Sequence, residues 1–171
     1  MFGKQEIEKY FLAEKQLGLL FIIIGSAAVV LAIIFYFFIK APFYKGAAVS
    51  LLLIGLIQLL LGCTVYNRSD EDRARNVYAY DMNPGQLKNE ELPRIKKWLY
   101  NFTIIKWVEM ALVVAGLVLV FYYRGNAEKT FWYGLGLALT IQVLILFIGD
   151  VVAEKRAKLY TTSLETFVNK R

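Results

Sequence analysis

The sequence predicts an all-α integral membrane protein whose four transmembrane helices form two hairpins, and three observations predict it. The apolar residues fall in four blocks: residues 17–39, 46–66, 103–123 and 130–152. Each holds about 20 residues, and at ~1.5 Å rise per residue a helix of that length crosses a hydrocarbon core ~30 Å thick. The composition agrees, since 58% of residues are hydrophobic, 15% are aromatic and the mean hydropathy is +0.48, values unusual for a soluble domain. The basic residues are also lopsided. Sixteen of the 20 Lys and Arg lie in the N-terminal segment, the central loop and the C-terminal tail, against four in the two short loops. Cytoplasmic flanks carry such an excess, so both termini and the central loop are expected on the cytoplasmic side of a cell membrane, plasma or inner.

Ahead of the first span, Met1 to Gln16 mixes Glu6, Glu8 and Glu14 with Lys4, Lys9 and Lys15. The apolar run that follows is too long for the ~7–15 residue core of a signal peptide, and its small residues Gly25 to Ala28 lie inside it. It reads as an uncleaved helix. Ile7, Tyr10 and Phe11 before it are sparse enough for an amphipathic surface helix. The second span contains Leu60-Leu61-Gly62-Cys63, which has the look of a lipoprotein box but sits behind a complete first span, where processing is not expected. Cys63 is the only cysteine and the sequence has no histidine, so an intramolecular disulfide and imidazole chemistry are both excluded.

The segment 67–102 reads as a cytoplasmic helical loop. Arg68 to Tyr80 has no Pro or Gly and places Glu71 four residues before Arg75, a favoured helical ion pair, so helix two should run on beyond the membrane. Asn83-Pro84-Gly85 should break it. A new helix is expected from about Asn89, with Glu90 and Glu91 in its first turn and Pro93 early enough to be tolerated. Leu92, Ile95, Leu99 and Phe102 make one apolar stripe beside Arg94, Lys96 and Lys97, which are read as basic residues facing the lipid interface. This helix leads into span three. After span four, Leu159, Leu164, Phe167 and Val168 predict a third amphipathic helix. Aromatic clusters at 35–38, 43–44, 121–123 and 131–133 mark the outer interface, and Tyr66, Trp98, Tyr100 and Trp107 the inner one.

The two hairpins read as weak copies of each other. Phe35-Tyr36 and Ile57-Gln58 correspond to Phe121-Tyr122 and Ile141-Gln142, although any two apolar hairpins share much of this pattern. An axis relating them would run along the membrane normal. Small residues offer packing faces in all four spans: Gly25 with Ala28, Gly55 with Gly62, Ala111 with Ala115, and Gly134 with Ala138.

Polar residues inside the spans are the candidate site. Glu109 falls within the inner leaflet, where pairing with Lys106 three residues earlier is the simplest way to satisfy it. Asp150 is expected at the inner boundary, within reach of water. Gln58 and Gln142 share a depth near the midplane, where an amide needs a partner, and an interhelical hydrogen bond worth about 0.6–2 kcal/mol is the usual answer. The acidic run Asp70-Glu71-Asp72 could in principle ligate Mg²⁺, but Arg68, Arg73 and Arg75 flank it and no second acidic pair follows. No catalytic constellation, cofactor fingerprint or metal-ligand spacing is present, so no cofactor or metal is expected. The net charge of +6 follows from the flanks facing an anionic leaflet and implies no nucleic acid. The expectation is a non-catalytic membrane protein, an accessory or scaffold subunit or a binder of another membrane protein, including an immunity factor. Its partners would be the bilayer and other membrane subunits or itself. The alternative is a small transporter or channel using Glu109 with Gln58 and Gln142.

Overall fold

The structure is a computed structural model that describes residues 2–169. Those residues form α1 (Lys4–Phe37), α2 (Pro42–Met82), the one-turn α3 (Pro84–Gln86), α4 (Leu92–Tyr123) and α5 (Thr130–Asn169). Four stretches are long and apolar enough to cross a membrane: α1, α2, the α3–α4 stretch and the stretch ending in α5. They pack as two hairpins. α1 lies along α2, α2 against α5, and α5 against α4, so that the two hairpins meet at the α2–α5 contact.

Each boundary has a local cause. Pro42 supplies the preset φ for the first turn of α2, five residues after α1 ends. Asn126 stops the second hairpin's turn from fraying: its side chain accepts from the backbone N–H of Glu128 and Lys129, at 3.0 and 3.2 Å. The break at Asn83 falls where the sequence places it, but the chain re-enters helix at Pro84, earlier than Asn89. Between α3 and α4, Leu87–Glu91 forms a π-helical turn in which the N–H of Leu92 reaches back to the carbonyl of Leu87. The reason is Pro93. It has no N–H and its ring would press on the carbonyl of Asn89, and widening the turn by one residue relieves both problems.

The flanking segments are not separate helices. α1, α4 and α5 run unbroken from flank into span. Their apolar residues pack on one another: Ile7, Phe11, Leu87, Ile95, Ala157 and Leu164 are buried in a core beyond the end of the apolar spans. Tyr10 stacks on Tyr160 at 4.3 Å between ring centroids, and Phe2 packs among Tyr80, Tyr160 and Phe167. Leu92 and Leu99 rest against this core, so the stripe that sequence spacing picks out faces the bundle. A second, smaller cluster of Phe21, Ile54, Val143 and Leu146 lies within the spans.

Small residues set how closely the helices approach. A Cβ on Gly25 would stand 2.8 Å from the Gly55 carbonyl oxygen, and one on Gly62 would stand 2.7 Å from that of Gly18. Where α2 meets α5 the relation is reciprocal, a Cβ on Gly46 striking the carbonyl of Phe131 and one on Gly134 striking that of Phe43. Ala111 and Ala115 are different. Both stay exposed on α4, whose apolar window is only 11% buried against 28–33% for the other three.

Candidate functional site

The polar residues of the spans form a file along α5. At the end nearest the loop, Lys106 of α4 donates to Glu154 of α5 at 2.6 Å, and Lys158 reaches the other oxygen of Glu154 at 3.0 Å. One turn deeper, the carboxyl of Glu109 faces that of Asp150 across the seam. Glu109 is 5% exposed, and its Oε2 has no hydrogen-bond partner among the described residues. The i,i+3 pairing of Glu109 with Lys106 is therefore not made. Both side chains point across the seam, where α5 offers each a nearer partner, and Asp150 is half-buried in that seam.

Deeper still, the Nε2 of Gln142 donates to the Oε1 of Gln58 at 2.6 Å, joining α5 to α2. Both residues are buried. The pair is closely walled: Ile54 lies one turn before Gln58, Leu146 one turn after Gln142, and a Cβ on Gly25 would stand 3.2 Å from the Cβ of Gln58. In hydrocarbon an unpaired amide costs several kcal/mol, so this bond fixes the rotation of both helices about their axes. Gln58 Nε2 has no partner among the described residues. Nearer the short loops, Ser50 of α2 donates to the carbonyl of Leu135 at 2.8 Å.

Beyond the spans many of the charges are paired. Arg94 makes a two-pronged contact with Glu91, at 2.7 Å for both nitrogens, lies 3.7 Å from Asp72 and covers the ring of Phe11. It is thus turned inward and does not lie at a lipid surface. Burial disfavours its charge, yet Glu91 and Asp72 outweigh this and raise its pKa. Lys96 reaches Glu165 of α5 at 2.7 Å, whereas Lys97 is exposed. Arg75 pairs with Asp72 at 2.7 Å and not with Glu71, because the buried Asp72 gathers Arg68, Arg75 and Arg94 around it while Glu71 stays in solvent. Asp70 takes Lys15 of α1 and Arg73. The acidic run is a hub of ion pairs between helices, and no group of three His, Cys, Asp or Glu able to hold a metal ion occurs among the described residues. Burial pushes the phenols of Tyr10 and Tyr160 well above their ordinary value, so both stay neutral.

Sequence reasoning missed Glu154, the pairing of Glu91 with Arg94 and the stacking of Tyr10 on Tyr160. A signal for the first was present. Reading inward along α4 gives Lys106 then Glu109, and reading outward along α5 gives Asp150 then Glu154, so antiparallel packing sets Lys106 opposite Glu154 and Glu109 opposite Asp150. Comparison with protein-family models, with curated proteins and with solved structures finds no match.

Proposed function

We propose that this chain is a non-catalytic multi-pass protein of the plasma or inner membrane, with its termini and the 67–102 loop in the cytoplasm, that acts as an accessory or scaffold subunit or as a binder of another membrane protein, an immunity role included. The observation that carries this reading is the bare flank of α4. Glycines elsewhere in the bundle are spent on internal seams, but Ala111 and Ala115, one turn apart, face outward from the helix with the least cover. Small residues at that spacing let a second helix approach closely in lipid. The test is affinity purification in mild detergent with and without Ala115→Phe. The wild type should bring down a second membrane subunit or a second copy, and the variant should lose it while melting at the same temperature. A wild type that purifies alone and monomeric would sink the reading.

Sidedness rests on the charge asymmetry of the sequence. Reporters fused at residue 1, near Gly85 and after Arg171 should all read as cytoplasmic, and a periplasmic signal from any of them would overturn the topology.

One observation favours a second reading, a small proton or cation transporter: the buried Glu109–Asp150 pair, whose spare oxygen has no partner among the described residues. Intramembrane carboxyls of this kind mark ion pathways. Reconstituted protein should then dissipate a pH or cation gradient, and Glu109→Gln should abolish the flux.

A further inference from the structure

Outside the spans, a half-open cavity of about 240 Å³ lies between the first turns of α1 and the last turns of α5. Glu6, Lys9 and Tyr10 line it from α1, and Arg156, Leu159 and Ser163 from α5. It is smaller than the ~300–1,000 Å³ pockets that enclose a drug-sized molecule, so it suits a headgroup and not a whole lipid. Its inner end, at Arg156, lies at headgroup depth. Arg156 is about 6 Å beyond the end of the fourth apolar block, Lys9 about 12 Å and Glu6 about 16 Å beyond the start of the first, at ~1.5 Å per helical residue. The cavity therefore begins in the headgroup layer and opens outward.

Its charges are unused. Among the described residues, neither Lys9 nor Arg156 lies within ion-pair distance of a carboxylate. Arg156 gives one N–H to the carbonyl of Ala13 at 3.1 Å, which holds the guanidinium in place and leaves its other donors available. Glu14, next to the same wall, also feels Arg156. The Oε2 of Glu6 is buried with no hydrogen-bond partner among the described residues. A buried acceptor carrying charge is costly unless a cation meets it, and the two bases beneath it ask for an anion.

From this arrangement we infer that the α1–α5 cavity binds the zwitterionic aminoalkyl phosphate headgroup of a phospholipid, with its phosphate on Arg156 and Lys9 and its ammonium on Glu6. The order of charges outward from the membrane, bases first and carboxylate last, matches the order in such a headgroup, in which the phosphate lies nearer the acyl chains. A headgroup carrying only negative charge satisfies the bases but leaves Glu6 opposed to it.

The test is native mass spectrometry of the full-length protein in micelles, titrated separately with dioleoyl phosphatidylethanolamine, dioleoyl phosphatidylglycerol and soluble O-phosphoethanolamine. Phosphatidylethanolamine should bind about tenfold tighter than phosphatidylglycerol. Glu6→Gln should bring the two within about twofold, and Lys9→Ala, at an exposed position, should weaken both alike. Thermal melting of each variant separates lost binding from lost fold. Equal binding of the two lipids by the wild type, or an unchanged preference in a folded Glu6→Gln variant, overturns the proposal. Soluble O-phosphoethanolamine binding as tightly as the lipid overturns the assignment to a membrane source.

Discussion

The two hairpins solve the same problem differently. Lipid gives no hydrophobic drive for one apolar helix to leave it for another, so helices in a membrane associate through close backbone contact or polar bonds. The α1–α2 seam uses the first means. Gly18 faces Gly62 and Gly25 faces Gly55, each pair so close that a Cβ would meet backbone. The α4–α5 seam has a single such glycine pair, Gly116 with Gly136, and relies on Lys106 with Glu154 and Glu109 with Asp150. Ionisable groups in a membrane are costly, and a hairpin that could have been sealed with glycine but carries carboxyls instead is where a role beyond packing is to be sought. That hairpin also holds the barely covered α4.

The largest effect expected from this contrast is at the glycine seam. A Cβ at Gly62 would come within 2.7 Å of the Gly18 oxygen and 2.8 Å of the Ile22 nitrogen, both backbone atoms that cannot swing aside. Gly62→Val should cost ~3 kcal/mol or more, at the upper end of what overpacking does. Gly116→Val in the other seam should cost less, because the atom nearest its Cβ is the Thr140 hydroxyl, which can turn at the loss of its bond to the Gly136 carbonyl, and the backbone atoms behind it stand farther off, at 3.0 and 3.2 Å. Melting curves of the two variants in the same detergent check the contrast, and equal losses would erase it.

An intermediate effect is expected at Glu109. Glu109→Leu strips Asp150 of its partner and should cost about 1–3 kcal/mol, the penalty for a buried polar group left unsatisfied. Glu109→Gln can still donate to Asp150 and should cost less than half as much. If denaturant titrations give the two variants the same stability, the carboxyl pair does not hold the second seam.

Much of this architecture is legible in the sequence, and what is not follows a physical rule. Span lengths and the loop's break are local: four apolar blocks of membrane length and an interruption at Asn83-Pro84-Gly85. Gln58 and Gln142 could be matched because depth along a helix is read directly from residue count. Which neighbour a long side chain chooses is not local. Spacing along one helix pairs Glu109 with Lys106 and Glu71 with Arg75, yet Lys106 reaches across the seam to Glu154 and Arg75 turns to Asp72, which is more buried than Glu71. Tertiary packing decides which carboxylate lies nearest, and sequence distance along one helix does not report it. The core built by the flanks is hidden for the same reason. A sparse amphipathic stripe suits a lipid surface as well as another stripe, and only the meeting of Ile7, Ile95 and Leu164 chooses between them.

The smallest effect is expected where the hairpins meet. Gln142 donates to Gln58 at 2.6 Å, but such bonds between transmembrane helices average about 0.6 kcal/mol and reach about 1.7, because the separated helices also find partners. Gln142→Leu leaves the Oε1 of Gln58 unpaired beside an Nε2 that already has no partner among the described residues, so this single change should cost about 1–2 kcal/mol. Gln58→Leu in addition removes the stranded amide. The double variant should therefore be more stable than Gln142→Leu alone, and the two costs should fail to add by about 0.6–1.7 kcal/mol. Additive costs would mean that the contact contributes nothing to joining α2 and α5. Loss of partner capture or of flux in a double variant that keeps its stability would move the pair from structural bond to working site.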